Sequence, residues 1–194
     1  MRPWRTLSLA GVLALALPAL AAEVGKPAPA FTLRDENGKA HSLSEYRGRI
    51  VVLEWTNPEC PFVQRHYGEK TMQKTLAALS DKQVVWLAVD STSHNVPESS
   101  RAWKARNGFS YPVLQDASGA VGHAYGAKTT PGMFVIDEKG VLRYSGAIDD
   151  DPRGKSSTPT NYVKQAVNAV ASGQPVSPSV TESYGCTVKY DKSS

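Results

Sequence analysis

The chain has 194 residues, with 22 Lys and Arg against 18 Asp and Glu, a formal charge of +4. Arg2 and Arg5 supply half of that excess. Without them the balance is 20 to 18, or +2, which gives no ground for binding nucleic acid or a membrane surface. The length suits one domain with a sizeable core.

Residues 1–21 read as a cleavable secretory signal. Arg2 and Arg5 form a positive start, Leu7 to Leu20 is apolar and uncharged, and Ala19-Leu20-Ala21 offers small residues at the cleavage site. The cut is expected after Ala21, with a cut after Ala22 as the near alternative. An uncleaved anchor is the alternative, but the stretch is short for a span and Pro18 fits cleavage better. A periplasmic or secreted chain would hold its two cysteines, Cys60 and Cys186, where a disulfide persists, and only one pairing can be drawn. The expected organisation is a domain over 22–172 and a tail over 173–194 that carries Cys186.

Two short strands in "FTLRDENGKAHSL" are joined around Asn37-Gly38, a hairpin signal. "RIVVLEWT" reads as a strand buried on both faces. Cys60-Pro61 opens a helical pattern to about Leu79, since proline suits a first helical turn. "QVVWLAVD" is a second buried strand, and a helix runs from Pro97 to about Asn107-Gly108. "YPVLQD" is a short strand and "ASGAVGHAYG" a short helix or turn. "GMFVID" and "VLRYSGAID" form a hairpin. The run Asp149-Asp150-Asp151 reads as solvated loop, with a calcium site as a weak alternative. Thr158-Pro159 caps a last helix to about Ser172. The rest is a flexible, extended tail rich in Pro, Ser and Gly. This order predicts a three-layer α/β fold around a mixed sheet.

Cys60 lies between a buried strand and a helix N-terminus. Free N–H groups and a partial positive charge there favour a thiolate, and such placement can lower a cysteine pKa to roughly 3.5–7.5. A buried, inert cysteine fits less well, because Asn57, Pro58, Glu59 and Pro61 are turn residues. Thr130-Pro131 directly precedes an apolar strand. Proline cannot serve inside a central strand, so Pro131 marks its beginning, where an X-Pro bond can be cis.

These segments together resemble the thioredoxin superfamily, in its group of exported redoxins of AhpC/TSA peroxiredoxin-like and TlpA-like type. "VGKPAPAFTLRDENGKAHSLSEYRGRIVVLEW" resembles the redoxin lead-in, and "TTPGMFVIDEKGVLRYSGAID" the cis-proline loop with its hairpin. The ending "ESYGCTVKY" is similar to that of one peroxiredoxin-like branch. The resemblance implies a thioredoxin-like fold with an N-terminal hairpin extension. It implies a thiol oxidoreductase with Cys60 as nucleophile; no cofactor or metal is expected, because the sequence holds no Gly-rich phosphate loop and its histidines do not gather by motif. Pro131 would be the cis-proline beside Cys60, and Thr130 would offer its backbone to a substrate strand. Glu54, six residues before Cys60, takes the place of the buried acid that moves protons, against the alternative of a surface carboxylate.

The chain departs from the family at several points. Val63 fills the second position of a Cys-x-x-Cys site. The Thr and Pro that precede a peroxidatic cysteine are replaced by Asn57 and Leu53. Pro131 stands where the thiolate-binding arginine is expected, leaving Arg65 or Arg143 as candidates. Cys186 then becomes the resolving partner, since a second thiol must release the first intermediate. A permanent Cys60–Cys186 staple, contributing about 5 kcal/mol in the chain-entropy model, is the alternative. Substrates would be protein disulfides or hydroperoxides, with the electron donor unassigned. The competing reading is a non-catalytic or metal-handling module. His66 is expected to point away from Cys60, and His41, His94 and His123 lie in separate segments. Trp103 and the other aromatics are expected to serve core or surface packing, not a cofactor box.

Overall fold

A computed structural model of the chain describes residues 21–191. Nearly all of the proposed signal lies outside them. Among the described residues, nine strands and five α-helices follow in order: β1 Thr32–Asp35, β2 Ala40–Ser42, β3 Val51–Trp55, α1 Pro61–Gly68, α2 Thr71–Ala77, β4 Val85–Asp90 and α3 Pro97–Asn107. Next come β5 Val113–Gln115, α4 Ala120–Tyr125, β6 Thr129–Thr130, β7 Gly132–Ile136, β8 Leu142–Gly146, α5 Tyr162–Ala171 and β9 Cys186–Thr187.

Seven strands form one sheet in the order β2-β1-β5-β4-β3-β7-β8. The β3–β4 and β4–β5 pairs are parallel; the others are antiparallel. The fold is the expected thioredoxin-like sandwich of helices around a mixed sheet. Central strands β3, β4 and β7 are buried along their whole length. Their side chains alternate between two layers, as strand geometry requires. Val52, Trp86, Ala88, Met133 and Val135 meet α1, α2, α3 and α5 in one layer, which also holds Cys60 and Trp103. Val51, Leu53, Trp55, Leu87 and Phe134 meet Tyr125 of α4 in the other. Glu54 has the parity of Val52 and so faces the layer of Cys60.

The predicted helix from Pro61 to Leu79 is two helices. Lys70 adopts a left-handed backbone (φ 58°) between them and turns the chain. The last helix is capped by Asn161, whose side chain accepts from the Lys164 amide at 2.8 Å, and not by Thr158-Pro159. Asp149 and Asp151 are buried, contrary to the solvated loop expected. Asp151 accepts from the amides of Lys155 and Ser156, which folds the following loop around it. The tail is ordered as well. It bridges Ser145 through Val180, pairs β9 with β6, and buries Val188.

Candidate active site

Cys60 is the N-cap of α1, with Pro61 at the first helical position. Asn57 shapes the turn that delivers it: its side chain accepts from the Glu59 amide at 2.8 Å and its carbonyl from the Cys60 amide at 3.0 Å. The residue is almost fully buried, 1% exposed. Across from it the Thr130–Pro131 peptide bond is cis, and the Cys60 thiol donates to the Thr130 carbonyl at 3.0 Å.

Strand β9 brings in the second thiol. Cys186 sits opposite Thr130, and Thr187 opposite Thr129, in an antiparallel pair. Gly185 makes this approach feasible. Its φ is +132°, and a Cβ there would run into the Thr130 carbonyl oxygen. Both cysteines are free, and Cys186 packs against the layer that holds Cys60. The pair divides its protons unequally. Burial alone would raise the Cys60 pKa, but the Cys186 and Thr130 side chains and the amides of Val63 and Cys186 all favour its thiolate, and the balance falls below the ordinary thiol value. Cys186 is pushed up to about 11 by burial and by its neighbour Cys60. The surroundings therefore favour the thiolate on Cys60 over the thiolate on Cys186.

Glu54 is fully buried. One carboxylate oxygen, Oε2, accepts from Trp86 Nε1 at 2.9 Å and from the Tyr67 hydroxyl at 3.1 Å, and Tyr67 joins Tyr111 at 2.8 Å. Burial raises its pKa to about 7, with the Trp86 and Tyr67 hydrogen bonds opposing the rise. The other oxygen, Oε1, is buried without a protein partner. The surface-carboxylate alternative is therefore corrected: this is an interior acid poised near neutrality.

Neither arginine candidate contacts Cys60. Arg65 donates to the Asp151 carbonyl at 3.0 Å and reaches His66 Nε2 at 3.1 Å. Arg143 binds Asp137 at 2.7 Å. Among the described residues, no group of three or more His, Cys, Asp or Glu side chains is disposed to hold a metal.

Sequence reasoning missed the grouping of Tyr184, His66 and Asp149 near the pair. Tyr184 packs its ring on Phe62 and His66, with centroids 6.1 and 6.0 Å away. Its hydroxyl donates to Asp149 and lies 3.0 Å from His66 Nε2. His66 is fully buried, and burial lowers its pKa to about 4, so the ring is uncharged at neutral pH. Tyr184, an aromatic residue two positions before Cys186 in a tail rich in Pro, Ser and Gly, was the available signal.

Residues 24–145 match the AhpC/TSA family. Alkyl hydroperoxide reductase E of Mycobacterium bovis is 33% identical over 131 residues, covering 63% of this chain and 83% of the relative. Thiol-disulfide oxidoreductase ResA of Geobacillus thermodenitrificans is 31% identical over 126 residues, covering 63% of this chain and 68% of the relative. A hypothetical protein of Sinorhizobium meliloti 1021 superposes with a TM-score of 0.79 at 27% identity, over 89% of this chain and 97% of that one. An uncharacterised conserved protein of Geobacillus kaustophilus gives 0.77 at 26%, over 93% and 100%.

Proposed function

The chain belongs to the AhpC/TSA family of thioredoxin-fold redox enzymes, and on that premise we propose that it is an exported thiol oxidoreductase in which Cys60 is the nucleophile and Cys186 the resolving thiol. The observation that carries this reading is the convergence of two free cysteines on Thr130: the Cys60 thiol, at the N-cap of α1, donates to its carbonyl beside the cis Pro131, and strand β9 sets Cys186 opposite it. The Cys60 thiolate attacks a substrate disulfide and expels one substrate sulfur as thiolate. Cys186 then gives up its proton, attacks the Cys60 sulfur and expels the second substrate thiolate. Two electrons pass to the substrate, and a Cys60–Cys186 disulfide remains for an external dithiol to reduce. Thr130 and Pro131 are assigned to the substrate side; Cys186 of the tail pairs with Thr130 in this structure, so a substrate strand takes that place only once β9 has lifted from β6. Glu54, in the same layer, is the proton acceptor assigned to the pair. A hydroperoxide would follow the same course through a sulfenic acid. The arginine expected for that chemistry is engaged elsewhere, as Arg65 and Arg143 are, so disulfide exchange is the better-supported reaction.

Reaction of the reduced chain with a protein disulfide and with an alkyl hydroperoxide tests the reading. Cys60→Ser should abolish turnover, and Cys186→Ser should stop at a mixed disulfide on Cys60. An ordinary Cys60 pKa near 8.5 with no turnover of either substrate would reject it. Export rests on the signal-like residues 1–21, with the mature domain over 22–172 and the tail from 173. The Ala22 amide is already tied into the fold, at 2.9 Å from the Ala124 carbonyl. Exported protein should begin at Ala22, and an intact chain retained in the cytoplasm would exclude this localisation.

A further inference from the structure

We propose that Tyr184 is the positioning residue that sets Cys186 over Cys60, held in place by a hydrogen-bonded clamp with Asp149 and His66. This rests on the reading of the two cysteines as a redox pair.

The β6–β9 ladder is only two residues long on each strand, too short to fix a thiol by itself. Just before it, Gly185 takes a backbone conformation that side-chain-bearing residues rarely adopt. The chain therefore turns a corner between Tyr184 and Cys186, and the thiol's position depends on how the arm before the corner is anchored.

That anchor is Tyr184. Its ring rests on Phe62 and His66, which lie one turn apart on α1, the helix capped by Cys60. Tyr184 and Cys186 both pack against the layer that holds Cys60. The Tyr184 hydroxyl donates to the buried Asp149 carboxylate, and Asp149 is itself held by the Asp151 amide at 3.0 Å. Arg65 closes the ring of contacts, reaching His66 and the Asp151 carbonyl. The clamp thus ties three separate segments together: the helix of the nucleophile, the 149–151 loop and the tail of the resolving thiol.

The test is the closing equilibrium of the full chain in buffers of reduced and oxidised glutathione. Samples are quenched in acid, alkylated and resolved by mass into dithiol, Cys60–glutathione mixed disulfide and closed disulfide. Tyr184→Phe keeps the ring but loses the hydroxyl. It should lower the closing constant about tenfold, the scale of a hydrogen bond to a charged group, and the mixed disulfide should accumulate. Asp149→Ala removes the same bond from the other side and should act alike. Asp149→Asn keeps an acceptor and should stay within about threefold of the unmodified chain. Closing constants within about twofold of the unmodified chain for both Tyr184→Phe and Asp149→Ala would overturn the proposal, being smaller than the loss of such a bond allows. An unmodified chain that never closes the disulfide would reject the redox-pair reading itself, and this inference with it.

Discussion

Replacing Glu54 by glutamine tests whether the interior acid titrates as its surroundings dictate. Its pKa rises from 4.5 to about 7 on burial, so the folded chain holds this proton more tightly than the unfolded one. Stability must then fall as pH rises from about 4.5 to 7 and level off above, because the native state binds more protons throughout that window. At about 1.4 kcal/mol per pH unit, the loss from this group is about 3 kcal/mol. The glutamine side chain in Glu54→Gln would keep an acceptor for Trp86 and Tyr67 and cannot ionise. Urea unfolding of the reduced chains at about pH 4 and about pH 8.5, on either side of the window, isolates the effect, since every other group is shared. Glu54→Gln should gain about 3 kcal/mol relative to the unmodified chain between the two conditions. The disulfide-exchange rate of Glu54→Gln should also lose a pH-dependent step near 7. Parallel stability curves would refute the reasoning, showing that Glu54 keeps an ordinary pKa.

Further outcomes follow from other parts of the site. Cys186→Ala removes the neighbouring thiol that lowers the Cys60 pKa, so absorbance titration at about 240 nm should show less thiolate at neutral pH, and an unchanged curve would contradict that role. Gly185→Ala would drive a methyl group into the Thr130 carbonyl and lift the tail from β6. Cys60 should then alkylate faster and close its disulfide more slowly, and unchanged rates for both would contradict the packing described. Tyr67→Phe removes one of the two hydrogen bonds to Glu54 Oε2 and should move the acid's titration, read by the same pH-dependent unfolding, further upward. Leu53→Ala, at a fully buried position in the central strand, should cost roughly 2–5 kcal/mol of unfolding free energy and leave the thiol pKa unchanged.

The elements that hold Cys60 were readable because each carries a local signature. Apolar runs mark β3 and β4, Asn57 and Pro61 frame the thiol turn, Pro131 marks the start of β7, and Gly108 ends α3. What escaped was set by distant contacts. Lys70 breaks the helical pattern with a backbone angle that its side chain does not announce. Thr158 and Asn161 are both suitable caps, and only the position of the Lys164 amide chooses between them. Asp149 looks like any loop acid until Tyr184 arrives from 35 residues away. The tail's composition suggested mobility, yet its order comes from pairing with a strand 56 residues earlier. Glu54 could be matched to a role, but its burial required the two-layer parity of the assembled sheet.

The ordered tail limits how the resolving thiol can move. Before Cys186 the chain is pinned at Tyr184. After it, the Val188 amide binds the Lys128 carbonyl at 3.0 Å, and the Tyr190 hydroxyl binds the Ala127 carbonyl at 2.7 Å. Val188 and Tyr190 pack into the opposite layer from Cys60, so the tail crosses the end of the sheet with both ends of the crossing tethered. A four-residue span reaches at most about 14 Å when fully extended. While both tethers hold, Cys186 stays beside the layer of Cys60 and does not reach a neighbouring molecule. Oxidation should therefore favour a bridge within one chain over one that links two.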